Sequence, residues 1–112
     1  GHYHIDTEIN GVTIKFMVDT GASDVVLTKN DAKKLGINLH NLDYTKMYNT
    51  ANGITYGAPI VINKIKIDNF VIYNIKASVN NSEMEQSLLG MSFLDKLGGY
   101  EVRNGILTLW VK

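Results

Sequence analysis

Asn-Gly pairs occur three times in this sequence and constrain its fold more than any other feature. The pairs are Asn10-Gly11, Asn52-Gly53 and Asn104-Gly105. An Asn-Gly dipeptide between two extended segments is a strong signal of a β-hairpin, because both central residues of a type I′ turn need a positive φ. Strand-like sequence flanks each pair, and Asp68-Asn69 marks a fourth candidate hairpin. The pattern predicts a chain built mostly from antiparallel hairpins.

The predicted strands bracket these turns. They are residues 3–9, 12–18, 44–50, 54–60, 61–67, 70–79, 100–103 and 106–111. Apolar and polar residues alternate within them, as where Ile14, Phe16 and Val18 share one face of a strand while Thr13 and Lys15 lie on the other. A two-residue period is typical of antiparallel strands that are buried on one face.

Helix signals are few and short. Thr28 followed by Asp31 resembles a capping box and predicts one or two helical turns over residues 32–35. A second short helix is predicted over residues 91–97, where two glycines follow it. The predicted fold class is mostly β, a small closed or sandwich-like barrel with one or two short helices, in a single domain of residues 1–112.

The composition excludes several classes of protein. Eleven basic and eleven acidic residues cancel and the pI is near 7.0, so no nucleic-acid partner is expected. The absence of cysteine excludes disulfide scaffolds, thiol nucleophiles and cysteine metal sites. We expect no cofactor and no metal, because no set of three ligands is visible. No apolar run approaches the roughly 18 residues of a membrane span, so no membrane contact is expected from this segment.

One segment points to chemistry. Residues 16–23 read Phe-Met-Val-Asp-Thr-Gly-Ala-Ser, an apolar strand that runs into Asp19 and then into small residues. Thr20 and Gly21 permit a tight loop in which backbone groups approach closely. Asp-Thr-Gly alone is equally typical of an Asx turn that ends a strand. The apolar residues before it and the small residues after it favour a functional role.

This segment resembles the active-site motif of aspartic proteases. Residues 87–91, Ser-Leu-Leu-Gly-Met, resemble the apolar-apolar-Gly motif that precedes the short C-terminal helix in that family. Residues 50–57 lie where the family has its flap hairpin. The chain length is similar to that of retropepsins, the single-domain aspartic proteases of retroviruses and their bacterial relatives. The resemblance implies a closed β-barrel of retropepsin type that is active as a C2 homodimer.

The chemistry of this family needs two carboxylates that share one proton, one acting as general base and the other as general acid. Asp-Thr-Gly occurs once in this chain, so the second carboxylate must come from Asp19 of a second copy. The resemblance implies that Thr20 donates a hydrogen bond across the two-fold axis and that the Gly21 carbonyl pairs with substrate. Asp19, Thr20 and Gly21 are therefore the predicted catalytic residues.

The resemblance also implies a substrate-binding set. It contains Ala22, Ser23 and Asp24 after the motif, and Ala51, Asn52, Gly53 and Ile54 in the flap. Ser23 stands where retroviral enzymes often have an acidic residue, so their subsite preferences are not transferred. Tyr56 is similar to the flap tyrosine of pepsin-like enzymes, although packing on the sheet explains it equally well. The terminal-strand residues Leu107, Leu109 and Trp110 are candidates for the dimer interface.

The sequence thus favours a homodimeric aspartic endopeptidase that cleaves extended polypeptides with apolar residues around the scissile bond. Two alternatives remain at this stage: a catalytically silent member of the same fold that binds peptides or dimerises, and an unrelated small β-barrel that binds a ligand. Bacterial proteins of this type are often membrane-anchored, so the resemblance also implies a protease domain in the cell envelope, outside the inner membrane.

Overall fold

Antiparallel hairpins form most of the fold in the computed structural model, which describes residues 3–50 and 53–111. The strands in these residues are β1 Tyr3–Ile9, β2 Val12–Val18, β3 Val25–Leu27, β4 Lys46–Thr50, β5 Gly53–Ile67, β6 Phe70–Asn80, β7 Ser87–Leu89, β8 Gly99–Arg103 and β9 Ile106–Trp110. The helices are α1 Lys29–Lys34 and α2 Met91–Leu94, with one 3₁₀ turn at Leu39–Asn41. The mostly β fold class predicted from the sequence is confirmed.

Six strands close into a barrel. Hydrogen-bonded neighbours follow the order β1-β2-β7-β3-β6-β5, and β5 returns to β1 where Glu8 pairs with Lys66. Most pairs are antiparallel, but β2 with β7 and β3 with β6 are parallel. Strand β4 extends the sheet beyond β5, and β8 with β9 form a separate two-stranded sheet. The barrel closure leaves β4 and its turn outside the closed ring of strands.

The turns agree with the Asn-Gly pattern at two of its three positions. Asn10 and Gly11 have φ values of 52° and 77°, and the pair at 104–105 has φ values of 52° and 76°, as type I′ turns require. In the β4–β5 hairpin Thr50 pairs with Gly53, so Gly53 is the first residue of a strand. The prediction that Gly53 is a turn residue is therefore wrong, and its other half, Asn52, lies outside the described residues. The same register places Tyr48 opposite the buried Thr55.

Other boundaries differ from the sequence prediction. The two predicted strands 54–60 and 61–67 are one continuous strand, β5, which first pairs with β4 and then with β6. Helix α2 ends at Leu94 rather than at residue 97, and α1 begins three residues before its predicted start. The three-residue strands β3 and β7 were not predicted as strands.

The interior of the barrel is filled with apolar side chains from its six strands and from α1 and α2. The largest fully buried apolar residues are Phe16, Phe93, Ile14, Leu27, Ile65, Ile75, Leu89, Val25 and Val79. Burying one such side chain stabilises the fold by about 1.5–3 kcal/mol. The alternation of Ile14 and Phe16 with exposed residues of β2 confirms the two-residue period. No helix within the described ranges has the length and apolar character needed to cross a membrane.

The helix cap that the sequence predicts is completed by a residue from another strand. The Thr28 side chain accepts a hydrogen bond from the Asp31 backbone N–H at 3.0 Å, which is half of a capping box. The other half passes through Ser87, a fully buried residue of β7. Its hydroxyl oxygen accepts from the Thr28 N–H at 3.0 Å, and its proton is donated to Asp31 Oδ2 at 2.5 Å. Ser87 therefore joins α1 to the barrel.

Replacing this hydroxyl should destabilise the whole fold. Ser87→Ala leaves the buried Thr28 N–H without its acceptor, so we expect the free energy of unfolding to fall by about 1–3 kcal/mol. Urea unfolding followed by circular dichroism measures the change. The matched control is Ser23→Ala at an exposed position, which should change the value by less than about 0.5 kcal/mol. Equal effects of the two substitutions would contradict the bridging role of Ser87.

Candidate active site

Asp19 lies at the point where β2 leaves the barrel. Its backbone N–H donates to the Leu89 carbonyl at 3.0 Å and so continues the parallel pairing of β2 with β7. The loop then turns tightly: the Gly21 N–H donates to Asp19 Oδ1 at 2.9 Å, and the Ala22 N–H donates to the Asp19 carbonyl at 3.2 Å. The Asp19 side chain is half-buried and is oriented by the loop that follows it.

Backbone groups at the end of the second sequence motif, residues 87–91, are hydrogen-bonded to this loop. The Met91 N–H donates to the Ala22 carbonyl and the Ser92 N–H to the Ser23 carbonyl, both at 2.8 Å. Gly90 makes this approach possible, because a Cβ there would lie 2.2 Å from the Asp24 carbonyl oxygen and 2.5 Å from that of Ala22. The two motifs that carry the sequence resemblance are therefore in direct backbone contact.

A cleft of about 720 Å³ opens above Asp19. Three segments and two isolated residues line it: Asp19 and Gly21 to Asp24 from the loop, Lys46 to Asn49 with Ile54 and Thr55 from the β4–β5 hairpin, Asn80 and Ser82 to Met84 from the segment after β6, and Val26 and Leu88. The apolar residues among these are Val26, Met47, Ile54, Met84 and Leu88. The hairpin thus forms one wall of the cleft that contains Asp19.

Most of the predicted site residues come together in this cleft. The lining residues among them are Asp19, Gly21, Ala22, Ser23, Asp24 and Ile54. Thr20 is exposed and belongs to the same loop without lining the cleft, and Gly53 begins β5 beside it. The predicted flap residues Ala51 and Asn52 lie outside the described residues. Which of these positions act in catalysis or substrate binding stays a prediction.

Asp24 is the centre of a charged cluster that the sequence reading did not identify. Its side chain is largely buried and accepts hydrogen bonds from the Lys46 ammonium and, at 3.0 Å, from the Tyr48 hydroxyl. The Tyr48 hydroxyl in turn accepts from Ser78, which is fully buried and 2.9 Å away. The ring packs so closely over Gly57 that a Cβ there would lie 2.8 Å from Tyr48 Cε2.

The cluster raises the pKa of two of its members, Lys46 and Tyr48. The hydrogen bond to Asp24 raises the pKa of Lys46 above its ordinary value, against an opposing effect of burial. Burial raises the pKa of Tyr48. Lys46 is therefore cationic and Tyr48 neutral at any pH near neutrality. The Lys46 ammonium also lies 5.3 Å from the centroid of the Tyr48 ring, within the range of a cation–π contact.

A second polar cluster ties the other hairpin strand to the segment after β6. The Thr55 hydroxyl donates to Asn80 Oδ1 at 3.0 Å and is in short hydrogen-bond contact with the Ser82 hydroxyl. The Ser82 N–H also donates to Asn80 Oδ1, at 2.7 Å. Next to this group the Asn81 N–H donates to the Tyr56 carbonyl at 2.9 Å. Strand β5 is thus hydrogen-bonded to this segment as well as to β4 and β6.

The tyrosine that lines the cleft is Tyr48, not Tyr56. Tyr56 is 46% exposed and is absent from the cleft wall, so its comparison with the flap tyrosine of pepsin-like enzymes is not supported by its position. Lys46 and Tyr48 are two residues apart on β4 and therefore share one face of the strand. That spacing was the signal available in the sequence, but the buried partner Asp24 lies 22 to 24 residues away along the chain.

Comparison with known proteins shows the family. A family model described as "gag-polyprotein putative aspartyl protease" matches residues 5–96. The solved structure of a retropepsin-like aspartic protease from Rickettsia conorii is 47% identical in sequence, covers 96% of this chain and 88% of its own, and superposes with a TM-score of 0.85. The chain belongs to the retropepsin-like aspartic proteases.

Other relatives agree on the fold or extend beyond this chain. EIAV protease in complex with the inhibitor HBY-793 is 22% identical over 92% of this chain and 94% of its own, with a TM-score of 0.69, and so shares the fold. The uncharacterised protein RP867 of Rickettsia prowazekii (strain Madrid E) is 48% identical over 109 residues. An uncharacterised protein encoded in the cobV 5′ region of a Sinorhizobium species is 39% identical over 110 residues. Each alignment covers 97% of this chain but only 47% of the relative.

The candidate interface residues lie on β9. Leu107 and Leu109 are half-buried, whereas Trp110 is 48% exposed. In the same two-stranded sheet Val102 and Ile106 are also exposed. Neither outer edge of this sheet pairs with another strand among the described residues. Its role as a dimer interface stays a prediction.

A side chain at position 90 should disrupt the Asp19 loop. Gly90→Ala places a methyl group against two backbone carbonyl oxygens that cannot move without breaking the loop, so we expect a loss of at least about 3 kcal/mol in unfolding free energy. Gly36→Ala is the matched control, because Gly36 has a φ of 79° and open space around it. Its cost should be about 1–2 kcal/mol, from backbone strain alone. Urea unfolding of both variants tests this, and a Gly90→Ala cost no larger than the control would contradict it.

Proposed function

We propose that this chain is the protease domain of a homodimeric aspartic endopeptidase that hydrolyses extended polypeptides. The observation on which this rests is the position of Asp19, half-buried at the floor of a cleft of about 720 Å³ and oriented by the Gly21 N–H. Membership of the retropepsin-like family supports the same reaction. A cleft lined on one side by a β-hairpin suits a substrate that binds in an extended conformation and pairs with backbone groups.

Two Asp19 carboxyl groups, one from each subunit, perform the reaction in this proposal. The ionised group takes a proton from a water molecule, whose oxygen attacks the carbonyl carbon of the scissile peptide bond. The protonated group gives its proton to the departing amide nitrogen, and the C–N bond breaks. Like charges at about 3 Å cannot both ionise, so the pair holds one proton and supplies both functions.

The second subunit is needed because one chain contains one Asp-Thr-Gly sequence. A two-fold axis through the site places the two Asp19 loops side by side in an isologous dimer. In this arrangement Thr20, which is exposed in the single chain, faces the partner loop and donates a hydrogen bond across the axis. The β8–β9 sheet, with Leu107, Leu109 and the exposed Trp110, contributes to the interface.

Substrate contacts are assigned to the two sides of the cleft. The loop residues Gly21, Ala22, Ser23 and Asp24 face the substrate from the Asp19 side, and Ala51, Asn52, Gly53 and Ile54 of the hairpin contact it from above. Among the lining residues Val26, Met47, Ile54, Met84 and Leu88 are apolar. These side chains favour apolar residues on either side of the scissile bond.

Replacing Asp19 should abolish hydrolysis without unfolding the protein. Asp19→Asn removes both carboxylates of the dimer at once, so we expect no measurable cleavage of an unfolded protein substrate. The wild type should show a bell-shaped pH–rate profile on the acid side of neutrality, because the doubly ionised and doubly protonated pairs are both inactive. Circular dichroism and sedimentation should be the same for both proteins. Equal cleavage rates for the two, with contaminating protease excluded, would refute the proposal.

Activity should also depend on protein concentration more steeply than linearly. Below the dissociation constant of the dimer, dilution removes active sites by mass action, so the specific activity should fall. A dilution series of the wild type with a fluorogenic peptide measures this, alongside the mass in solution by light scattering. A constant specific activity together with a monomeric mass would contradict the two-subunit site.

A further inference from the structure

One rung of the β4–β5 hairpin is fixed to the rest of the molecule through both of its side chains. Tyr48 and Thr55 pair opposite each other in the ladder. Side chains of paired residues lie on the same face of a sheet, so both point into the cleft side of the hairpin. Each makes hydrogen bonds to residues outside the hairpin, and the two sets of partners are different.

On β4, Tyr48 is bonded to the loop that follows Asp19. Its hydroxyl donates to Asp24, which is only 8% exposed and lies five residues after Asp19, and it accepts from Ser78 of β6. A hydrogen bond to a carboxylate is stronger than one between neutral groups. The Lys46 ammonium balances the charge of Asp24, so the buried carboxylate stays satisfied.

On β5, Thr55 is bonded to the segment after β6. Its side chain is buried, and its hydroxyl contacts both Asn80 and Ser82. All three residues line the cleft. The Ser82 N–H and the Thr55 hydroxyl both donate to Asn80 Oδ1, so the three polar groups form one connected set.

The Tyr48–Thr55 pair lies between the base of the hairpin and its outer end. Below it, Gly57 pairs with Lys46 in β4 and also with Asn80 in β6, so the base of the hairpin is part of the sheet. Above it, the ladder continues through two rungs, Asn49 with Ile54 and Thr50 with Gly53. The two-sided attachment therefore lies between the base of the hairpin and these two outer pairs.

We propose that Tyr48 and Thr55 are positioning residues that hold the β4–β5 hairpin at a fixed height above Asp19. The Tyr48 hydroxyl sets the distance to the loop containing Asp19, and the Thr55 hydroxyl sets the distance to the segment at residues 80–82. Because the two attachments are made by one rung, either alone retains most of the geometry, and the loss of both releases the hairpin. The effect on hydrolysis rests on the proposed function, whereas the attachment itself does not.

A double-mutant cycle measured by hydrogen exchange tests the attachment independently of activity. Tyr48→Phe removes the hydroxyl and keeps the ring over Gly57, and Thr55→Val removes the hydroxyl and keeps the side-chain shape. In an Asp19→Asn background, which prevents self-cleavage, we expect each single variant to speed exchange of the ladder amides of β4 and β5 several-fold. The double variant should exceed the product of the two single effects by at least about threefold, because the anchors act in parallel.

Two control variants separate positioning from general stability. Tyr73→Phe removes an exposed hydroxyl on β6. Thr7→Val removes a buried hydrogen bond in the β1–β2 hairpin, which the Thr7 hydroxyl donates to the Ile14 carbonyl at 2.9 Å. Thr7→Val should lower the unfolding free energy without speeding exchange in β4 and β5 selectively. Hairpin exchange that is unchanged in the double variant, equal to the product of the single effects, or reproduced by Thr7→Val would overturn the proposal.

Kinetic measurements on the same variants with Asp19 retained provide the second readout. We expect kcat/KM to fall about tenfold in Tyr48→Phe and further than the product of the single effects in the double variant, while Thr7→Val and Tyr73→Phe keep the wild-type value. A wild type without peptidase activity would refute the proposed function and leave the exchange result to decide the attachment. Faster hairpin exchange combined with wild-type kcat/KM in the double variant would refute the positioning role while the proposed function stands.

Discussion

The parallel pairing of β2 with β7 is the constraint on which the site depends. It brings residues 16–18 beside residues 87–89, and the Asp19 N–H extends it by one more hydrogen bond, to Leu89. Directly after β7, Gly90 allows the backbone at positions 91 and 92 to donate to the loop carbonyls. The position of Asp19 is thus determined by backbone contacts between two segments about 70 residues apart, and side-chain chemistry is added to a loop that is already fixed.

The elements that the sequence predicted are those with local causes. The hairpins β1–β2 and β8–β9 follow from Asn-Gly pairs whose φ values are set within the dipeptide itself. The three-residue strands β3 and β7 could not be predicted, because strands of that length are stabilised only by neighbours far along the chain. The position of Gly53 in β5 was missed for a similar reason, since the register of this hairpin also pairs Thr55, whose hydroxyl is bonded to Asn80, 25 residues away.

The site shows the same division. The Asp19 loop was recognisable because a contiguous motif contains its chemistry, and six of the predicted residues do line one cleft. The hydrogen-bonded neighbours of that loop were missed. Tyr48 is hydrogen-bonded to Asp24 and Ser78, which are 24 and 30 residues away in the sequence, and no local pattern predicts contacts over such separations. Tyr56 was considered instead from its place in the hairpin, yet its side chain is on the exposed face of β5.

The Asp19 loop and its backbone donors at residues 91 and 92 are far apart in the sequence, and this separation also affects how the chain folds during synthesis. Contacts between distant residues form late, since the entropy of closing a long loop opposes them. During synthesis the β1–β2 hairpin can pair as soon as it emerges, but the carbonyls of Ala22 and Ser23 meet their donors only after residues 91 and 92 have been added. A nascent chain therefore contains the Asp-Thr-Gly sequence long before the backbone donors that hold the following residues have been synthesised.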